Sequence, residues 1–457
     1  MNSKKKIAVI PGDGIGKEVI PQAVKVIEAT GAAIELTYFD WGADRYLTDK
    51  TTVPPDGFAM LGRDFDAILA GAFGDPGVPS NIHAKEILLG MRFQMDLYAN
   101  VRPVRLLDAS LCPLKGIEPK DLDFVVIREN TEGVYVDRGS ISNRGNEDEV
   151  AIQEDVNTWK GVRRIIRYAF EYCLHNKKAD GTPRNRVLIC DKSNAMTYAG
   201  GLWQRLFKEI GAEYPQIKSE HMYVDALCAQ MVRDPRPFDV IVTNNMFGDI
   251  ITDLAAGLQG GLGMAASGNI HPGQTSMFEP VHGSAPPLAG KNVANPMGAI
   301  LTAAMMLGHL GFNDEARRIE AAVLDAVRQQ QGTPDIGGNL GTKEVGEWIA
   351  QQVEEKFIAN IGNPDFHDGV IRKVSQEGDQ LLVEIEGYSG TLFLVRFVGI
   401  ESVVSHKPEN LMIYALMEME APPPLRRFVF ANWHQADEQG GDSALEITAQ
   451  SFSVDTL

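Results

Sequence analysis

The sequence predicts an α/β protein: a large, mostly parallel sheet flanked by helices, followed by a small, mostly antiparallel β (α+β) domain. Three observations lead there. Short β-branched runs end abruptly at Gly, Asp or Asn and give way to segments of helical period. Those runs are apolar throughout rather than alternating, as strands covered on both faces of a parallel sheet are. After Phe357 the pattern switches to short alternating runs separated by turn residues.

Five runs read as buried strands: Lys6–Ile10, Asp66–Leu69, Phe124–Ile127, Val187–Ile189 and Asp239–Val242. Polar clusters follow them, at Gly12-Asp13-Gly14, Arg128-Glu129-Asn130, Asp191-Lys192-Ser193-Asn194 and Asn244-Asn245. Functional groups gather beyond the carboxyl ends of such strands. Val162, Ile165, Ile166, Ala169 and Phe170 lie on one helical face, with Asn157 as the expected cap. Residues Ile300–Leu310 are apolar nearly all round and read as a central or interface helix. Helical period recurs at Ile319–Val327 and Val345–Val353.

The expected domains are 1–357, a linker at 358–364, and a small acidic β-rich domain at 365–457. In the last, Val383–Glu386, Leu392–Phe397 and Leu445–Ala449 alternate. One helix is expected near Leu411–Met419, and a break at Pro422–Pro424. From Ile361 onward there are 15 acidic and 6 basic residues, so this tail holds half of the chain's net charge of −18. Its histidines, His367, His406 and His434, lack metal-ligand spacing and read as solvated.

That acidity argues against a nucleic-acid partner, since phosphate contacts need a basic face. Cys112, Cys173, Cys190 and Cys228 lie far apart with no CxxC pair, so free thiols in a reducing compartment are expected. The run Ile7–Ile10 before Pro11-Gly12 is too short for a secretory signal, and no stretch has membrane-spanning length. A cytoplasmic protein is expected.

The turn Gly12-Asp13-Gly14-Ile15-Gly16 is spaced GxGxG, not GxGxxG, and shows only that backbone approaches something closely. Asp249 and Asp253 stand at i and i+4 on one helix face. Two readings stand: ligands for Mg²⁺ or Mn²⁺, or solvated first-turn carboxylates favoured by the helix dipole. Asp225, at another strand end, is a third candidate ligand. Arg92, Arg102 and Arg128 would suit a dicarboxylate if they converge, and surface ion pairs if they do not. Lys192 and Tyr135 lie near strand ends, where general acids and bases often sit.

Six motifs carry a resemblance: PGDGIG at 11–16, RPVR at 102–105, RENTEGVY at 128–135, DKSN at 191–194, NNMFGDIITD at 244–253 and EPVHGSAP at 279–286. In this order they resemble the β-decarboxylating dehydrogenases of isopropylmalate, isocitrate, homoisocitrate and tartrate/D-malate. The resemblance spans about residues 5–356 and implies an isopropylmalate dehydrogenase-like fold. It implies that Arg92, Arg102 and Arg128 hold substrate carboxylates, and that Asp249 and Asp253 bind the metal. Asp225 would complete the metal site from the other subunit of a homodimer, and Lys192, also from that subunit, would be the base. Tyr135 would be the acid. Glu279, His282, Gly283, Ser284, Ala285 and Asn295, with Ile15 of the Gly-rich turn, would hold the cofactor.

The resemblance further implies oxidative decarboxylation of a 2-hydroxy acid with NAD. Pro287 stands where NAD-dependent members usually have Asp, leaving Asp335 as a substitute ribose contact; no cation stands ready for the 2′-phosphate of NADP. Leu88 and Leu89 match leucines that cradle an isopropyl group, a contact worth about 2 kcal/mol. Isopropylmalate is therefore the expected substrate. Lys85, where isopropylmalate enzymes often carry an acid, keeps tartrate, D-malate and homoisocitrate as alternatives. A catalytically dead regulatory subunit is the non-enzymatic one, opposed by the filled catalytic positions.

Overall fold

The computed structural model describes residues 4–354, 357–405, 408–410, 412–413, 415–419, 421, 424–431 and 445–457. The chain forms two compact units, one of Met1–Glu28 with Ile34–Val353, the other of Ala29–Ala33 with Glu354–Leu457.

The first unit is built on β1 (Lys5–Ile10), β2 (Ile34–Tyr38), β3 (Ala67–Ala70), β4 (Ala99–Arg105) and β5 (Asp123–Glu129). A separate two-stranded ribbon follows, β6 (Gly139–Ser142) with β7 (Val150–Gln153). Then come β8 (Arg186–Asp191), β9 (Lys218–Tyr223), β10 (Val240–Thr243), β11 (Ala266–Ile270) and β12 (Ser276–Pro280). Apart from the ribbon they form one ten-stranded sheet in the order β2-β1-β3-β12-β11-β4-β5-β10-β8-β9. Both wings are parallel; β11 runs antiparallel to β12 and β4, and β4 to β5. Ile7–Ile10, Ala67–Ala70 and Val240–Thr243 are buried along their whole length, which explains their unbroken apolar runs.

The helix Met297–His309 is buried on nearly every side, as its all-round apolar pattern requires. Helix Trp159–His175 buries the expected stripe, but its cap is Thr158, not Asn157. Thr158 directly precedes the first helical residue, and its Oγ1 accepts from Gly161 N at 3.0 Å. The Asn157 Oδ1 instead accepts from Trp203 Nε1 at 2.8 Å.

The second unit holds β13 (Phe357–Ile361), β14 (Gly369–Glu377), β15 (Gln380–Glu386), β16 (Leu392–Ser405), β17 (Met412–Ile413), β18 (Ala415–Met419), β19 (Arg426–Ala431) and β20 (Leu445–Thr456). They make one antiparallel sheet, β13-β18-β19-β20-β16-β15-β14-β17. Alternate residues such as Leu381, Val383 and Ile385 point into a core with Phe366, Phe393, Phe397, Phe428 and Phe430.

Two expectations fail here. Residues 357–361, expected within or beside a linker, form β13, paired with β18; Asn360 and Gly362 suggested a break that comes only after the strand. The helix expected near Leu411–Met419 is replaced by β17 and β18. Leu, Met and Glu favour helix locally, but β18 is held between β13 and β19, and that pairing prevails. Leu411, Tyr414, Pro422, Pro423, His406 and His434 lie outside the described residues. Among the described residues no helix is long and apolar enough to cross a membrane.

Phe397 is fully buried, with its ring against Phe428, Phe430 and Phe452. Phe397→Ala is expected to destabilise by about 3–5 kcal/mol, measured by urea unfolding. A loss under about 1 kcal/mol would contradict this packing.

Candidate active site

The site forms where β4, β5 and β10 meet the helix Asn245–Leu258. Arg128, near the end of β5, lays its stem across Gly248, where a Cβ would overlap Arg128 Cγ. Its Nε and Nη2 donate to Asn245 Oδ1 at 3.1 and 2.7 Å, and its Nη1 to Asp249 Oδ1 at 2.5 Å. On β4, Arg102 donates from Nη1 to Thr252 Oγ1 at 2.5 Å. Its guanidinium lies 3.5 Å from Asp249 and 4.0 Å from Asp253. Arg92 donates to Glu279 Oε1 at 2.8 Å, and Asn269 Nδ2 donates to the same oxygen at 3.0 Å. Tyr135 donates to Asp249 Oδ2 at 3.1 Å, its ring facing the Arg128 guanidinium.

The three arginines therefore converge on buried ground, beside two carboxylates whose side chains remain 43% and 59% exposed. The Nε atoms of Arg92 and Arg102 are buried without a protein partner. Burial, then Arg102 and Arg92, lowers the Arg128 pKa, with Asp249 opposing. Burial works against ionised Asp249, but Arg128 and Arg102 outweigh it and hold its carboxyl low. Asp253 is raised, by burial first and by Asp249 as well, against Arg102. Burial and then Asp249 raise Tyr135, keeping it a proton donor at neutral pH.

Hard carboxylate oxygens on successive turns of one helix, open to solvent, fit a divalent cation that also takes substrate oxygens. Among the described residues no group of three His, Cys, Asp or Glu is placed to hold an ion. Asp225 lies elsewhere, at the start of the helix Val224–Arg233, where it accepts from Lys192 Nζ at 2.7 Å. Lys192 lowers its pKa. Among the described residues no hydrogen bond or ion pair joins this Lys–Asp pair to the arginine cluster.

The Gly-rich turn lies against the loop after β12. Gly14 has φ +52°, and a Cβ there would overlap the Ser284 carbonyl oxygen, which accepts from Ile15 N at 2.9 Å. His282 is buried beside Gly283, and burial lowers its pKa. Asn295 Nδ2 donates to Asp335 Oδ2 at 3.1 Å, so those two lie together. Ala285 has φ +40°. Glu279 faces Arg92, and so borders the arginine pocket as well as this loop.

Lys85–Leu89 form a π-helical turn, a feature frequent at functional sites. Leu88 packs against a cluster including Ile68, Ile87 and Met91, and Leu89 is half-buried three residues before Arg92. Glu86 accepts from Thr52 Oγ1 at 2.8 Å, and Lys85 is exposed.

Sequence reasoning missed Asn245, Thr252, Glu129 and Asp13. Asp13 is fully buried and accepts from Ala43 N at 2.7 Å and Gly74 N at 2.8 Å, with His83 Nε2 also at 2.8 Å. Its place between two glycines in a strand-end turn was the available signal. The polar cluster after β10 marked Asn245 only as one of a pair, and nothing local marks Thr252; their arginine partners are over a hundred residues away.

Glu129 follows Arg128 and is buried; its carboxylate accepts from Thr131 N, Thr131 Oγ1 and Glu132 N. Burial pushes its pKa up to about 7, against the Thr131 hydrogen bonds. A carboxyl raised in the folded state costs stability as pH climbs from its unfolded pKa through its folded one. Relative to Glu129→Gln, the protein should therefore lose stability between about pH 4.5 and 7. Parallel melting-temperature curves for the two proteins over that window would refute it.

The pattern of the isocitrate/isopropylmalate dehydrogenase family matches residues 6–349. The chain is 45% identical to a 3-isopropylmalate dehydrogenase of Thermobifida fusca, over 77% of this chain and 98% of that one. Among solved structures, isocitrate dehydrogenase from Methylococcus capsulatus superposes with TM-score 0.69 at 37% identity, over 77% of this chain and 99% of that one. The TT0538 protein from Thermus thermophilus matches with TM-score 0.68 at 30% identity, over 98% of this chain and 88% of its own, so that match extends into the second unit. The chain belongs to the isocitrate/isopropylmalate dehydrogenase family.

Proposed function

We propose that the protein oxidises and decarboxylates (2R,3S)-3-isopropylmalate to 2-oxoisocaproate in leucine biosynthesis, using NAD and Mg²⁺ or Mn²⁺, in the cytoplasm. The observation that carries this reading is the convergence of Arg92, Arg102 and Arg128 beside Asp249 and Asp253, with half-buried Leu89 three residues from Arg92. It is a dicarboxylate clamp with an apolar neighbour. The name of the Thermobifida fusca relative supports the choice of substrate.

In this reading the arginines hold the two carboxylates, and Leu88 and Leu89 receive the isopropyl group. Asp249 and Asp253, with Asp225 of a second copy, would hold the metal, which supplies electrostatic stabilisation to the oxygen that gains charge. NAD, the hydride acceptor, would be held by Ile15, His282–Ala285, Asn295 and Asp335, with Glu279 at the border. Lys192 of the second copy removes the hydroxyl proton, oriented by Asp225 as in their 2.7 Å contact. After CO₂ leaves, Tyr135 returns a proton to the substrate carbon.

A homodimer is part of this proposal. Among the described residues no hydrogen bond or ion pair joins the Lys192–Asp225 pair to the clamp, and the β6–β7 ribbon exposes Ile141, Val150 and Ile152, apolar groups that a second copy would cover.

Steady-state NAD reduction with Mn²⁺ should give isopropylmalate a kcat/KM at least about tenfold above D-malate, tartrate, isocitrate and homoisocitrate. A lead for D-malate or tartrate would overturn the substrate assignment and leave the clamp intact. Shared sites have their own test. Mixed dimers of inactive Lys192→Ala and Tyr135→Phe chains should regain about a quarter of wild-type activity, because half are hybrids with one intact site. Failure to regain any would show that each site is built from one chain.

A further inference from the structure

We propose that Asn245 is the positioning residue that aims Arg128 at the substrate. The inference rests on the dicarboxylate reading above and names a residue that reading does not use.

Asn245 is buried, the first residue of the helix that carries Asp249 and Asp253. Its Oδ1 accepts two of Arg128's donors, Nε and Nη2. Two donors on one acceptor fix the plane of the guanidinium as well as its position. The amide cannot flip, because its Nδ2 donates to the Glu132 carbonyl at 3.0 Å. Glu132 is itself held: its backbone N–H donates to Glu129 at 2.7 Å, and its carboxylate accepts from Thr158 N at 2.8 Å. Asn245 thus ties the end of β5, the turn leading to Tyr135 and the helix of the proposed metal ligands to one guanidinium. Gly248 leaves the room the Arg128 stem needs, since any Cβ there would strike it.

The chemistry requires a neutral acceptor at 245. An aspartate would hold Arg128 as firmly, yet cancel the charge meant for a substrate carboxylate and set an anion against the Glu132 carbonyl. An alanine would leave Nε and Nη2 buried without their acceptor, free to turn toward Asp249 or Asp253.

The test uses the full-length protein, wild type, Asn245→Ala and Asn245→Asp. Steady-state kinetics with isopropylmalate and Mn²⁺ are read beside calorimetric binding of isopropylmalate with Mn²⁺ and no NAD. Alanine is expected to raise both KM and Kd at least about tenfold and to lower kcat, since aim is lost. Aspartate keeps the aim, so KM and Kd should rise while kcat falls less than in the alanine protein. Melting temperatures should stay within a few degrees of wild type, and the aspartate protein carries the test if the alanine protein does not fold. Substitutions that leave KM and Kd within about twofold overturn the proposal. So does a fall in melting temperature with kinetics of the folded fraction unchanged, which is a structural role. A wild type that neither binds nor turns over isopropylmalate fails the functional reading itself, and the role of Asn245 falls with it.

Discussion

Three buried guanidiniums within reach of one another would repel, and each has lost its hydration. What makes them tolerable is a small set of acceptors: Glu279 for Arg92, Thr252 and Asp249 for Arg102, Asn245 and Asp249 for Arg128. The acceptors stand on β12 and on the helix after β10; the cations stand on β4, on β5 and on the short helix Gly90–Gln94. The order of strands in the large sheet is therefore what allows the site. β4 and β5 must be neighbours, with β10 beside β5, for Arg102 and Arg128 to reach one helix.

The same arrangement divides the carboxylates by task. Asp249 takes contacts from Arg128, Arg102 and Tyr135, and these keep it ionised. Asp253, one turn on and more exposed, is raised instead. A divalent cation arriving between them would meet one carboxylate whose charge the arginines already favour and another whose charge burial disfavours, with solvent access on the open side.

Much of this was legible in the sequence because the signals were local. Apolar runs followed by polar clusters marked β1, β3, β5, β8 and β10, and the i, i+4 pair marked Asp249 and Asp253. That the arginines converge was open from the residues alone, since Arg92 and Glu279 are 187 residues apart. The errors were local too. Asn157 and Thr158 are both good caps, and only the backbone decides which one precedes the first turn. Met412–Met419 carries helix formers, and non-local pairing with β13 and β19 overrules them.

Lys192 and Asp225 are bonded to each other, and among the described residues no hydrogen bond or ion pair joins them to the clamp. Within one chain Lys192 Nζ donates to Asp225 at 2.7 Å and also lies above the Tyr223 ring. The clamp, by contrast, holds three cations against Asp249, Asp253 and Glu279, and leaves two buried Nε donors without protein acceptors. A dicarboxylate would bring that surplus of donors the acceptors it lacks. In the proposed dimer, arginines near a lysine would favour the uncharged amine that a base requires. In that proposal Asp225 would orient Lys192 as well as contribute to the metal site, two tasks for one carboxylate.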